Sequence, residues 1–161
     1  MKSPYREEIE VAAARYQLDP LLVESVVWQE SAGHADAFRF EPGYWERYCK
    51  ERAKWRDEDP RRIASSYGLM QIMYPTALDY GYAGPPEGLF HIPRNLAIGC
   101  QILADLIKRM DGDIEKALAA YNGGVGGVFR SFPQAYARRV VDRYERLTAA
   151  REGRDRQGQR T

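Results

Sequence analysis

Residues 19–33 read Asp-Pro-Leu-Leu-Val-Glu-Ser-Val-Val-Trp-Gln-Glu-Ser-Ala-Gly, and this stretch predicts one helix with an apolar face. Asp19-Pro20 is typical of an N-cap and first helical position, and Ala32-Gly33 is typical of a helix end. The apolar side chains recur at helical spacing and so indicate a face directed at a core. Glu30 follows Val23 by seven positions and Val26 by four, which places its carboxylate on this apolar face.

A carboxylate on an apolar face is costly unless it is paired or neutral. Desolvation disfavours the anion and raises the pKa, which suits a general acid that works near neutral pH. The alternative is that Glu30, in the last turn, swings outward and is merely solvated, and periodicity alone favours this alternative. The small residues Ser31, Ala32 and Gly33 leave space in front of the carboxyl group. They favour a site.

The rest of the chain also predicts helices joined by glycine and proline, with no alternating strand, so the expected fold class is all-α. Further helices are expected to run from Tyr44 to Trp55, from Pro93 onward, from a cap at Asp113 to Gly123, and from Pro133 onward. A single domain is expected over residues 1–149. Residues 150–161 contain no aromatic or aliphatic side chain beyond alanine and are predicted to be a disordered polar tail.

Composition excludes several functional classes. A chain of 161 residues with net charge +1 suits one core, and it offers no broad positive field for nucleic acid. No apolar run approaches the ~20 residues that span a bilayer, and residues 1–8 have no apolar h-region, so neither a membrane span nor an export signal is expected. His34 and His91 lie in no metal-ligand pattern, so no metal and no cofactor are expected.

Two cysteines, Cys49 and Cys100, lie far apart in the sequence. One disulfide between them is an open alternative, but two buried thiols are favoured for a chain without an export signal.

Four motifs occur in order along the chain: Gln-Glu-Ser-Ala at 29–32, Ser-Tyr-Gly-Leu-Met-Gln-Ile-Met-Tyr-Pro-Thr-Ala at 66–77, Asn-Leu-Ala-Ile-Gly at 95–99, and Ala-Ala-Tyr-Asn-Gly-Gly at 119–124. In order and spacing they resemble the soluble lytic transglycosylase (SLT) family of the lysozyme-like superfamily. The resemblance covers about residues 18–145. It implies a lysozyme-like domain with a saccharide-binding groove.

The resemblance implies that Glu30 is the catalytic acid, which agrees with the argument from its apolar face. It would protonate the glycosidic oxygen between N-acetylmuramic acid and N-acetylglucosamine and then act as base. The substrate's acetamido group would stabilise the anomeric cation, and the muramic O6 hydroxyl would close a 1,6-anhydro ring. A muramidase that hydrolyses the same bond and a non-catalytic peptidoglycan-binding module are the alternatives. Peptidoglycan strands are the expected partner, and the chain is expected to be a monomer.

The resemblance also implies a set of substrate-binding residues: Ser31, Ser66, Gly68, Met70, Gln71, Met73, Tyr121, Asn122 and Tyr136. Tyr121 would lie beside Glu30 and orient the reacting acetamido group. For Tyr136, plain core packing is nearly as well supported, because it lies on an apolar stripe. For Met70 the alternative is a core side chain, and for Gln71 it is an amide satisfied by the protein itself.

The chain departs from the common family pattern between Ser31 and Gly68, where many relatives have a short loop. This longer insert resembles that of phage-encoded and other short, single-domain members. Within it Glu41 is a possible second carboxylate that would hold a water and turn the outcome to hydrolysis. A structural pairing of Glu41 with a nearby arginine is the favoured alternative. Because the substrate lies outside the cytoplasmic membrane, a phage endolysin, a virion-associated protein or a signal-trimmed exported protein would fit.

The chain is rich in aromatic residues, with 11 Tyr and 3 Trp. Tyr16, Trp28 and Tyr144 follow helical stripes and are predicted to be core, whereas Tyr44 and Trp45 lie in the insert that would roof a groove. Aromatic rings and hydroxyl groups suit a neutral glycan better than a strong electrostatic field does.

Overall fold

A computed structural model describes residues 4–158, and the three residues at each end lie outside the described part. The helices are α1 (Arg6–Arg15), α2 (Pro20–Ser31), α3 (Pro42–Tyr44), α4 (Pro60–Ile63), α5 (Tyr74–Asp79), α6 (Ile92–Arg109), α7 (Ile114–Gly123) and α8 (Ser131–Gly158). Three short strands, β1 (Phe38–Phe40), β2 (Ser65–Tyr67) and β3 (Ile72–Met73), form one antiparallel sheet in the order β1-β2-β3. The fold is mainly α, as the sequence predicts.

The predicted helix ends at α2 and α7 are confirmed by their hydrogen bonds. The Asp19 carboxylate accepts a hydrogen bond from the backbone N–H of Leu21 at 2.9 Å, and the Asp113 carboxylate accepts one from Lys116 at the same distance. Both satisfy backbone donors that a helix start leaves free. Ala32 has a left-handed φ of 52° just after α2, so the chain turns away directly after Glu30 and Ser31.

The core lies where α2 and α7 pack on α8, and where α1 and α7 pack on α6. The apolar face of α2 enters it with four buried side chains, namely Leu22, Val23, Val26 and Val27. Trp28, predicted to be core, is 42% exposed, and Arg143 of α8 lies over its ring at 5.0 Å. The cation–π contact explains how a tryptophan is kept at this surface.

The three strands are a correction to the expectation of no strand. Phe38 pairs with Tyr67 and Arg39 with Ser66, while Ser66 also pairs with Met73 across the second ladder. Strands of two or three residues are too short to produce a recognisable alternation of apolar and polar residues. Their pairing depends on contacts between segments distant in sequence.

The insert between β1 and β2 does not form the single helix predicted from Tyr44 to Trp55. It consists of α3, a π-helical turn (Trp45–Cys49), a 3-10 turn (Ala53–Trp55) and α4, and it has its own small core of Cys49, Trp55, Ile63 and Ala64. Cys100 lies in the main core instead. Both cysteines are therefore buried free thiols, as favoured from the sequence.

The prediction that the chain is disordered from residue 150 is wrong for the described part of the tail, because α8 continues to Gly158. Arginine and glutamate have good helix propensity, and Arg156 pairs with Glu152 one turn away at 3.4 Å. Arg151 also lies 3.3 Å from the Asp19 carboxylate, which ties this part of α8 to the start of α2. The rest of the predicted tail, residues 159–161, lies outside the described residues.

Within residues 4–158, no helix is both long and apolar enough to cross a membrane. The same part of the chain contains no group of three or more histidine, cysteine or acidic side chains arranged to hold a metal ion.

Candidate active site

Glu30 lies one residue before the end of α2 and is partly buried against α8. The Tyr136 hydroxyl donates a hydrogen bond to Glu30 Oε1 at 2.6 Å. Burial raises the pKa of Glu30 from its ordinary value of 4.5 to about 7, while the hydrogen bond from Tyr136 and the charge of Arg39 oppose this rise. The carboxyl group is thus poised to hold or release a proton near neutral pH.

Two tyrosines approach the carboxyl group from neighbouring helices. Tyr136 of α8 is 3% exposed and contacts Glu30 directly, whereas Tyr121 of α7 donates its hydroxyl proton to the Met70 carbonyl at 2.9 Å. Burial first, and then the charge of Glu30, raise the pKa of both phenols well above 10, so both remain hydrogen-bond donors. The direct partner of Glu30 is therefore Tyr136, for which the sequence left core packing open.

A tight turn, Gly68–Gln71, faces the end of α2. The Ser31 hydroxyl, adjacent in sequence to Glu30, donates to the Leu69 carbonyl at 2.9 Å and to the Val27 carbonyl at 3.0 Å. Ser31 was predicted to bind substrate. In the structure its Oγ lies within hydrogen-bonding distance of both carbonyls, so Ser31 fastens the end of α2 to the turn.

Gly68 is required by the backbone of this turn. Its φ is +72°, and a Cβ atom there would lie 2.6 Å from Asn95 Nδ2. The side chain of Met70 is fully buried and packs on Gly99. Met70 was predicted to bind substrate. Its side chain instead belongs to the core, and only its backbone groups reach Asn95 and Tyr121.

Gln71 is held by the protein on both sides of its amide group. Its Nε2 donates to the carbonyls of Ala37 at 3.1 Å and Gly68 at 3.0 Å, and its Oε1 accepts from the Ser66 hydroxyl at 2.8 Å. This satisfied amide is the alternative that the sequence left open. Gln71 and Ser66 together brace the turn against β1 and β2.

One face of the small sheet carries a cross-strand row of Arg39, Ser66 and Met73. Met73 is partly buried, and the charge of Arg39 opposes the rise in the pKa of Glu30. Asn122, also predicted to bind substrate, is partly buried at the end of α7, next to Tyr121. Arg39 is exposed and both Met73 and Asn122 are only partly buried, so none of these three side chains fills the core.

Sequence reasoning did not single out Arg39. Its Nε lies 2.6 Å from Glu41 Oε1, so the favoured interpretation of Glu41, a pairing with a nearby arginine, is confirmed. Arg39 stands between two phenylalanines and therefore projects from the opposite face of β1, but three residues are too few to be recognised as a strand in the sequence. Without knowledge that residues 38–40 form a strand, the sequence does not show which face Arg39 lies on.

The site contains a poised carboxyl group, two phenolic donors and a nearby cation, which suits proton transfer to and from a neutral substrate. The family model of the transglycosylase SLT domain matches residues 7–141. A transglycosylase of Enterobacteria phage PRD1 is 30% identical over 134 residues, which is 79% of this chain and 39% of that protein. The chain thus spans well under half the length of this curated relative.

Among solved structures, an inactive glutamate-to-glutamine mutant of the lytic transglycosylase Slt from Pseudomonas aeruginosa aligns with a TM-score of 0.65. It is 18% identical, and the match covers 91% of this chain and 25% of that one. This likeness confirms the fold, and the family match covers most of the chain. The protein therefore belongs to the transglycosylase SLT domain family.

Proposed function

We propose that the protein is a peptidoglycan lytic transglycosylase that uses Glu30 as its single acid and base. The observation that carries this proposal is the partly buried carboxyl group whose pKa is about 7 and which accepts a hydrogen bond from Tyr136. Membership of the SLT family supports the substrate class. The similar Slt structure is that of an inactive mutant with glutamine in place of one glutamate, which supports an essential role for a glutamate carboxyl group.

In the proposed reaction, protonated Glu30 gives its proton to the glycosidic oxygen as the bond to the muramic anomeric carbon breaks. The substrate's acetamido carbonyl stabilises the cation that develops there. The muramic O6 hydroxyl then attacks the anomeric carbon and returns its proton to Glu30, closing a 1,6-anhydro ring. No water is consumed. Tyr136 holds the carboxyl oxygen in place in both states.

The ion pair of Glu41 with Arg39 favours closure of the anhydro ring over hydrolysis. A second carboxylate that activates water has to be free to hold it. The Glu41 carboxylate instead lies 2.6 Å from Arg39 Nε. The backbone N–H of Glu41 donates to the Ala64 carbonyl. We infer that Glu30 works without a second carboxylate. Its substrate lies outside the cytoplasmic membrane, so the wall is the proposed place of action, and we propose that a monomer acts there.

Digestion of purified peptidoglycan in water labelled with heavy oxygen is the test of this function. We expect muropeptides with 1,6-anhydromuramic ends that are one water lighter than the hydrolysis product and carry no heavy oxygen. Mass spectrometry of the released fragments measures both properties together. Reducing ends labelled with heavy oxygen would identify a muramidase, and binding to the wall without released fragments would identify a non-catalytic module; either result contradicts the proposal.

The pH dependence of the rate is expected to follow the protonated form of Glu30. Because its pKa is about 7, kcat/KM on solubilised glycan strands should fall above pH 7, approaching a tenfold loss for each further pH unit. The measurement is initial rate against pH at constant ionic strength, with folding monitored by circular dichroism at each pH. A rate that stays level to pH 9 in folded protein contradicts the assignment of Glu30 as the acid.

A further inference from the structure

The segment that joins α7 to α8 carries exposed apolar side chains. Val125 is 51% exposed, Phe129 is 82% exposed, and Phe132, the second residue of α8, is 68% exposed. Groups of exposed apolar side chains commonly mark a binding surface. The segment begins just after the turn of α7 that carries Tyr121, and it ends one helical turn before Tyr136. Both of its ends therefore adjoin the candidate site.

Helices α2 and α8 run in opposite directions, and this places Phe132 beyond the end of α2. At the start of α2, the Asp19 carboxylate accepts a hydrogen bond from the Tyr144 hydroxyl at 3.1 Å. Near the end of α2, Glu30 accepts one from the Tyr136 hydroxyl at 2.6 Å. Residue numbers thus rise along α2 as they fall along α8. Phe132 precedes Tyr136 by four residues, about 6 Å along the helix, and so continues past the acid.

Phe132 and Tyr136 lie on the same face of α8. Residues four apart in an α-helix are neighbours, with about 5–6 Å between their Cβ atoms, and their side chains lean towards the helix start. Because the Tyr136 hydroxyl contacts Glu30, the Phe132 ring stands on the side of α8 that carries this contact. Tyr136 is buried there, whereas Phe132 is mostly exposed. The ring is therefore an open aromatic surface one turn from the direct partner of the acid.

The end of α7 lies against the start of α8 and brings a polar group to the same junction. A Cβ atom at Gly123 would collide with the ring of Pro133, so these two residues are in close contact. Asn122 precedes Gly123, and Phe132 precedes Pro133. The Asn122 amide is partly exposed and has no hydrogen-bond partner among residues 4–158. The junction thus offers an aromatic face and an amide that can bind hydroxyl groups.

Resting on the proposed function, we propose that Phe132 forms a sugar-binding subsite, in which its ring stacks on the apolar face of a sugar that flanks the cleaved bond. A glycan strand continues beyond the two sugars whose bond is broken, so it passes over surfaces next to Glu30. Its backbone is neutral and combines apolar ring faces with hydroxyl groups. An aromatic ring beside an amide matches that chemistry, and the subsite is continuous with the acid.

The test is binding of a purified, peptide-free glycan strand to Glu30→Gln protein, in which cleavage is slow. In this background Phe132→Ala should weaken binding about 5- to 30-fold, because a sugar would cover one face of the ring. Calorimetric titration measures the affinity. In the protein that retains Glu30, the same change should raise KM by a similar factor.

Conservative variants separate stacking from general apolar contact. Phe132→Tyr keeps the aromatic ring and should bind the strand within about twofold of the parent protein. Phe132→Leu keeps an apolar side chain without an aromatic face and should not recover the affinity. Sugar protons that lie over a ring move upfield in NMR spectra. This shift should be present with phenylalanine or tyrosine at position 132 and absent with leucine.

Val11→Ala is the control for loss of an exposed apolar side chain. Val11 is 73% exposed on α1, and its removal should leave glycan affinity within about twofold. Phospholipid vesicles and sedimentation test two other occupants of the surface, a membrane and a second copy of the chain. Phe132→Ala that reduces vesicle binding or self-association, but not glycan binding, overturns the inference.

Weaker glycan binding in Phe132→Ala, with recovery in Phe132→Tyr, supports the inference. Unchanged affinity, or an equal loss in Val11→Ala, overturns it. If Phe132→Ala does not fold, Phe132→Leu and Phe132→Tyr still decide, because equal affinities overturn the inference. Glycan binding that depends on Phe132 in a protein without anhydromuramic products would contradict the proposed function and leave the subsite intact. Anhydromuramic products together with binding that does not depend on Phe132 would do the reverse.

Discussion

Glu30→Gln is expected to lower the rate of wall degradation by about 10²- to 10⁴-fold, the range that one general acid contributes. The amide keeps the size of the side chain, and its carbonyl can still accept the hydrogen bond that Tyr136 donates at 2.6 Å. It has no proton of suitable acidity to give to the glycosidic oxygen. Release of soluble fragments from purified peptidoglycan measures the effect. Activity within about threefold of the unaltered protein would contradict the assignment, because it lies far below the contribution of a general acid.

Glu24→Gln is a matched control for this variant. Glu24 lies on α2, is also partly buried, and lies six positions before Glu30. The same chemical change there should leave the rate within about twofold, because Glu24 is not among the groups that act on Glu30. A comparable loss in both variants would indicate that the helix, rather than the acid, is affected.

The free energy of unfolding gives a second, independent measure of Glu30. Its pKa in the folded protein, about 7, lies above the ordinary value of 4.5, so the folded state binds the proton more tightly than the unfolded chain does. This contribution to stability is complete below pH 4.5 and is lost as pH rises through 7, by up to about 3 kcal/mol. Glu30→Gln removes this dependence. Urea unfolding at pH 5 and pH 8 measures this change. From pH 5 to pH 8, the free energy of unfolding of Glu30→Gln should rise relative to that of the unaltered protein.

The placement of Glu30 could be predicted because every signal for it is local. Asp19 and Pro20 start α2, Ala32 ends it, and the spacing from Val23 and Val26 fixes the face on which the carboxylate stands. Capping and helical periodicity act within a few residues, so they are present in the sequence itself. The sheet and the irregular insert arise from contacts between distant segments, so no local sequence pattern predicts them.

The motif around Gln71 shows why residue identity does not establish a residue's role. Serine and glutamine can bind sugar hydroxyls, but Ser66 and Gln71 bind each other and the backbone of β1 and the turn. Met70 is apolar enough for a groove, yet it is fully buried and packs on Gly99, where a Cβ atom would collide with its side chain. A motif predicts which residues are constrained. Where their side chains point depends on the turn at Gly68–Gln71, and this orientation is seen only in the structure.

Asn95→Ala is expected to be the most destabilising of the substitutions considered. Asn95 is 1% exposed; its Oδ1 accepts from the Met70 N–H at 2.8 Å, and its Nδ2 donates to the carbonyls of Tyr67 at 2.7 Å and Leu89 at 2.9 Å. Alanine would leave one donor and two acceptors without these partners. Each unsatisfied buried group costs about 1–3 kcal/mol, so a loss of about 3–5 kcal/mol is expected after partial relaxation.

This loss should extend to activity at temperatures where the variant remains folded. Asn95 fixes the backbone N–H of Met70, and the Met70 carbonyl accepts a hydrogen bond from the Tyr121 hydroxyl. The turn and α7 should therefore loosen together. Urea unfolding measures the stability, and Arg94→Ala is the control, since Arg94 is exposed and makes a single hydrogen bond to the Gly88 carbonyl at 2.8 Å. A surface change of that kind should cost less than about 1 kcal/mol. Equal losses in both variants would mean that α6, and not the buried amide, supports the turn.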